Sequence, residues 1–218
     1  MRVTFTFDVP SATQRVVPGA LAPLLAALLA PPAYDSRPSA VPLAEDRIER
    51  IGHDKRRAPD LSAAHARFIA HGSLRVPASA DHAFDAAVRY LRRDERMREV
   101  IATVEHSRTS YTLRIVHDGA DEFDPNVRAI DWDPTSALRT TEGGRQSPAL
   151  GLGHELTHAA ERPSQYDAHC AARLRKYDDA EERRVIRGAE AHAARTLGEA
   201  QRFDHRGTLY RVTSPVAT

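Results

Sequence analysis

Gly151-Leu152-Gly153-His154-Glu155-Leu156-Thr157-His158-Ala159-Ala160-Glu161 carries His154, Glu155 and His158 in the order H-E-x-x-H. On a helix, positions i and i+4 lie one turn apart on the same face, so both imidazoles can reach one cation. Glu155, offset by about 100° of helix rotation, can reach a water on that cation. This is the spacing by which a helix holds zinc and sets a general base beside it. The flanks suit a helix. Ser147-Pro148 reads as N-cap and first helical residue. Leu150, Leu152, Leu156, Ala159 and Ala160 are apolar around the two histidines, and Pro163 is expected to stop the helix after about four turns.

Upstream, Val127 to Trp132 roughly alternates apolar and polar residues, as a half-buried strand does. Trp132 is expected either in the core or as the wall of a subsite. A loop from Thr140 to Ser147 then leads into the metal helix. Ser110 to His117 alternates around Tyr111, Leu113 and Ile115 and reads as a strand, with Asp118-Gly119 as a turn. Asp81 to about Glu105 is the longest helical pattern, with Phe84, Ala87 or Val88, Leu91, Met97, Val100 and Ile101 as its stripe and a break near Asp94. Arg92, Arg93, Arg96 and Arg98 form its solvated basic face. Leu61 to His71 reads as a short helix and Asp178 to Leu197 as a longer one ending at Gly198. The fold class expected is α+β, a zincin-like metallopeptidase with a small mixed or antiparallel sheet and an HExxH active-site helix.

Residues 1–43 read as a leader and linker, and 44–218 as the metallopeptidase domain. Gly19 to Ala30 is apolar but too short to span a bilayer as a helix, so no membrane span is expected. It fits a signal-peptide core or a short packing helix. Residues 31–42 carry Pro31, Pro32, Pro38 and Pro42 among Ser and Ala, a linker composition. The 218 residues hold a net charge of +1, against the basic bias of phosphate-binding domains, so nucleic acid is not expected as a partner. With Cys170 alone, no intrachain disulfide can form. Cys170 follows His169 directly, and adjacent residues do not converge as a nucleophile and its base must.

Catalytic zinc takes three protein ligands and keeps one open position. The extended H-E-x-x-H-x-x-G-x-x-H pattern fails, because Glu161 and Ser164 stand where Gly and His are needed. His169, and more weakly Asp167, are distant alternatives. The favoured third ligand is Glu182, which shares the inward face of Val185 and Ile186 and needs a partner there. Glu181 is the alternative, although its D-x-x-E spacing from Asp178 gives it a helix-capping role instead. One Zn2+ per chain is expected.

Leu152-Gly153-His154-Glu155-Leu156-Thr157-His158-Ala159, Glu181-Glu182-x-x-Val185-Ile186 and Arg202-Phe203-Asp204-His205-Arg206-Gly207 together resemble the NleD-like effector zinc peptidases, which bacterial pathogens inject through type III secretion. The resemblance spans about Asp124 to Val212 and implies a secreted, monomeric endopeptidase delivered into a host cell to cut a host signalling protein. The terminal segment also resembles the Arg-x-x-Tyr pair of clostridial neurotoxin light chains, with Arg202-x-x-His205 in its place and Tyr210 further on. Glu155 is expected as general base. Arg202 and His205 are the first choice for stabilising the oxyanion, and Tyr210 is the second. The alternatives are a non-catalytic binding module with a structural metal, and a housekeeping metallopeptidase of the cytoplasm.

Overall fold

In the computed structural model the described residues are 67–218, and all of them belong to the unit Ala44–Thr218. The leader expected over residues 1–43 lies outside them. A hairpin comes first: β1 (Phe68–His71) pairs antiparallel with β2 (Leu74–Pro77) across a turn in which Gly72 has φ 58°. The helix expected to end at His71 is therefore a strand where it is described. A side chain at Gly72 would collide with the Glu105 carbonyl, so the chain can turn there only as glycine. That turn forces pairing on residues whose spacing alone suits a helix.

The long helical pattern divides where expected, into α1 (Asp81–Leu91) and α2 (Glu95–Glu105). Asp94 is the reason: its carboxylate accepts the Met97 N–H at 3.0 Å and caps the second helix. Phe84, Ala87, Val88 and Leu91 face inward from α1, and Met97, Ile101 and Val104 from α2. Then come β3 (Tyr111–Ile115), β4 (Glu122–Asp124) and β5 (Ala129–Trp132). These join the hairpin in a mixed five-stranded sheet, ordered β1-β2-β3-β5-β4. Strand β5 starts only after Arg128, which has φ 55°, and it is interior, between β3 and β4. The Val127–Trp132 segment is thus not available as an edge; β4 is the edge. Trp132 is fully buried and its Nε1–H donates to the Pro148 carbonyl at 2.9 Å, so it is a core residue that fixes the start of the next helix.

The loop expected from Thr140 to Ser147 is mostly a hairpin. β6 (Ser136–Thr140) pairs with β7 (Arg145–Gln146), and α3 (Pro148–Ala159) follows at once. Pro163 does not end α3, which stops at Ala159; it opens a further helix, α4 (Pro163–Ala171). The short pair β8 (Arg173–Leu174) and β9 (Asp178–Asp179) leads into α5 (Ala180–Val185). A π-helical turn (Ile186–Glu190) and α6 (Ala191–Leu197) continue it, and Gly198 closes the helix at φ 76°. Last, β10 (Gly207–Arg211) pairs with β6.

Nearly every residue of α3 is buried, because α1, α2, β4, β5, β6, α5 and the π turn all pack on it. Leu150, Leu152 and Leu156 enter one core with Trp132, Ile130, Leu91 and Met97. Each such leucine stabilises the fold by roughly 1.5–3 kcal/mol. The domain is α+β with small sheets, and among the described residues no helix is long and apolar enough to cross a membrane.

Candidate metal centre

Helix α3 begins as its sequence requires. Ser147 Oγ accepts the Leu150 N–H at 3.2 Å, and the Glu199 carboxylate accepts both the Ser147 N–H and Oγ–H at 2.7 Å. The helix can lie close to α1 and α2 because of Gly153, where a Cβ would stand 3.1 Å from both Leu91 Cδ2 and Met97 Sδ. That docking sets the depth at which His154 and His158 sit. The two Nε2 atoms face each other at 3.0 Å. The Glu182 carboxylate reaches His154 Nε2 at 3.1 Å and His158 Nε2 at 3.3 Å. These three residues can hold a metal ion.

The outer nitrogens decide what the inner ones can do. His154 Nδ1 has Glu190 Oε2 at 2.7 Å and an Arg202 Nη2 at 2.9 Å. The carboxylate can only accept and makes the shorter contact, so Nδ1 carries the proton and gives it to Glu190, while the same Arg202 Nη2 donates to Glu190 Oε2 at 2.9 Å. His158 Nδ1–H likewise donates to Glu181 Oε1 at 3.0 Å. In neutral rings both Nε2 lone pairs then converge on one point, with Glu182 beside them. Two lone pairs 3.0 Å apart repel unless positive charge lies between them. Glu182 Oε2 is also buried without a hydrogen-bond partner. Metal–ligand bonds of about 2.0–2.2 Å in a tetrahedron separate ligand atoms by about 3.3–3.5 Å, close to the spacings found here. The donor set fits a tetrahedral divalent cation with carboxylate-backed histidines.

Charge points the same way. Glu155, Glu181, Glu182 and Glu190 surround the imidazoles, against the guanidinium groups of Arg184 and Arg202. Burial alone would discharge both histidines. The carboxylates outweigh it, raising His154 and pushing His158 up to about 10. Burial likewise opposes the charge on Glu181, but Arg184 and His158 hold it at about 2. Glu190 is held well below the usual range by Arg202 and then His154. This is a pocket built to stabilise added positive charge.

Glu155 lies one residue on, its Oε1 3.9 Å from His154 Nε2, and lines a cleft of about 180 Å3. Asp121 and Glu122 at the start of β4 form one wall of that cleft; Leu209 and His205 form another. The His205 ring lies parallel to that of His154 at 6.3 Å, and its Nε2 is 3.4 Å from Glu182 Oε2. Its Nδ1 is anchored by Asp178 at 2.6 Å. Asp178 does this from a left-handed conformation, φ 67°, uncommon for a side-chain-bearing residue and typical of functional sites.

Several expectations change on these contacts. Glu182, not Glu181, groups with His154 and His158; the Glu181 oxygens serve His158, His169 and Arg184, while Asp179, not Asp178, caps α5 by accepting the Glu182 N–H at 3.0 Å. Arg202 sits behind His154, on its Nδ1 side, with Nε 2.9 Å from Glu190 Oε1. Its hydrogen bonds go to Glu190 and to the outer side of His154, and it also lines the cleft beside Glu155. Tyr210 is on the wrong side of β10. Its neighbour Leu209 lines the cleft, and alternation along the strand sends Tyr210 to the opposite face, under Arg145. His169 bonds Glu181 and belongs to a separate cluster, and Asp167 is exposed. Cys170 is pushed up to about 11, by burial first and Asp179 second, which leaves no thiolate at neutral pH. Glu190 was the residue not anticipated. Its signal was an acid between Ala189 and Ala193 on the inward stripe.

A scan against protein-family models, a search of curated proteins and a search of solved structures each found no match.

Proposed function

We propose that the chain is a zinc-dependent endopeptidase of zincin-like fold, a secreted effector that cleaves a host protein, as its resemblance to the NleD-like peptidases implies. The observation that carries this reading is the convergence of His154 Nε2, His158 Nε2 and the Glu182 carboxylate within 3.0–3.3 Å, beside a cleft that Glu155 lines. Structural zinc sites are closed by four protein ligands, whereas three ligands at an open cleft is the catalytic arrangement. Zinc held there would supply an acidified water and a Lewis acid for the scissile carbonyl.

The chain's own groups do the rest. Glu190 and Glu181 keep both histidines in the Nδ1–H tautomer and aim them. Glu155 takes the proton of the attacking water on its carboxylate and passes it to the leaving amine. His205, held by Asp178, donates from Nε2 to the developing oxyanion. Edge strand β4 borders the cleft through Glu122 and can take an extended peptide as an added strand.

The test is zinc stoichiometry of the purified protein together with a comparison of wild type and Glu155→Ala on a host-cell proteome. One zinc per chain in both proteins, and new peptide termini only with wild type, is the expected result. A wild-type protein that binds no stoichiometric zinc would overturn the reading.

A further inference from the structure

Helix α5 and the π turn have two chemical faces. Glu181, Glu182 and Glu190 point to the histidines, and Arg183, Arg184 and Arg187 point away. The outward residues line a second cavity of about 520 Å3, with Ala180, Gly188 and His169 completing its wall. No acid lines it. Arg184 is committed to Glu181 and Glu161 and forms a fixed floor. Arg183 and Arg187 have no carboxylate partner among the described residues, and the Arg187 guanidinium is steadied over the Phe203 ring at 5.2 Å. The π turn keeps the cavity open. Gly188 departs from helical geometry at φ −98° and ψ −106°, and nothing stands within 4 Å of where its Cβ would be.

From this geometry we infer a binding groove for an acidic peptide segment of a partner protein, read by Arg183 and Arg187. The cavity is too large for a single oxyanion. Side chains four apart on a helix are about 5–6 Å apart at Cβ. Alternate side chains of an extended peptide are about 6.6–6.8 Å apart. An acid-x-acid segment therefore matches the two guanidinium groups in charge, and the long arginine side chains let each take one of its carboxylates bidentately. The groove lies across α5 from the cleft and does not depend on the peptidase reading.

The test is fluorescence anisotropy with the full chain in a Glu155→Ala background, with and without added zinc, so that no probe is consumed. The probes are a labelled Gly-Glu-Gly-Glu-Gly peptide, its Gln counterpart and its phosphoserine counterpart. The Glu peptide should bind and the Gln peptide should not, with binding lost near about 1 M salt, where the Debye length falls to about 3 Å. Arg183→Glu/Arg187→Glu should weaken the Glu peptide by at least about tenfold. Zinc content, and in the Glu155 protein cleavage of a short peptide without acidic residues, should not move. Equal binding of the Glu and Gln peptides would overturn the groove, as would full affinity in the double variant. Binding of the phosphoserine peptide alone would overturn the carboxylate reading.

Discussion

Glu190 offers the most demanding test of the centre, because it stands outside the His154–His158–Glu182 group and yet holds His154. It is almost fully buried, and its two oxygens take hydrogen bonds from Gln146 Nε2, Arg202 and His154 Nδ1. Glu190→Ala leaves the Arg202 guanidinium buried without its counter-charge, and stranding one member of such a pair costs about 3–5 kcal/mol. For a domain of this size that lowers Tm by about 6–20 °C. Glu190→Gln is gentler. It keeps the shape and one acceptor, loses the charge that fixes the Nδ1–H tautomer, and should weaken zinc about 10- to 100-fold, the usual cost of removing a ligand's supporting carboxylate. Zinc affinity by chelator competition and thermal unfolding of the metal-free protein separate the two effects. The reasoning fails if Glu190→Gln binds zinc as tightly as wild type while Glu190→Ala unfolds at the wild-type temperature.

The displacement of Tyr210 from the cleft predicts that Tyr210→Phe keeps full peptidase activity. Its hydroxyl is buried without a hydrogen-bond partner, so stability should hold or rise by about 0.5–1 kcal/mol; a drop in kcat would contradict its placement. His205→Ala should lower kcat by about 100- to 1000-fold with little change in KM and intact zinc, since an oxyanion donor acts in the transition state. A rise in KM alone would reduce His205 to a substrate contact. Asp94→Ala should cost at least about 1–2 kcal/mol in urea unfolding, through the lost cap. Burial opposes the charge on Asp94, but the Thr196 hydroxyl, the Met97 N–H and His192 hold its carboxyl below the ordinary range. Its contribution is therefore present above about pH 4 and lost as pH falls through the folded value. Wild-type stability should fall on acidification more steeply than that of Asp94→Ala, and parallel pH profiles would refute this.

The centre was legible where its residues lie within one or two helical turns of each other. His154 and His158 share a face by spacing alone, and Glu182 was found because a charge on the Val185–Ile186 face needs a partner. The division at Asp94 was readable because a cap is a local event. What could not be read depends on pairing between distant segments. Phe68–His71 has helical spacing but a strand's neighbours, and β5 became interior only because the three residues of β4 pair beside it. Arg202 and Tyr210 were placed by analogy of spacing, yet which side of an imidazole an arginine approaches, or which face of a strand is wet, is set by β10 pairing with β6.

One consequence concerns the excursion between His158 and Glu182, which holds α4 and the β8–β9 pair. Helix α4 buries none of its residues, so little apolar contact secures this stretch. A cation held by residues at both of its ends would act on it as a covalent cross-link acts on a loop. It would remove chain entropy from the unfolded state, and for loops of this order a cross-link is worth about 3 kcal/mol. In a chain with a single cysteine, the same ligands that arm the cleft would then serve as its staple, and chelation should loosen residues 160–180 before the sheet gives way.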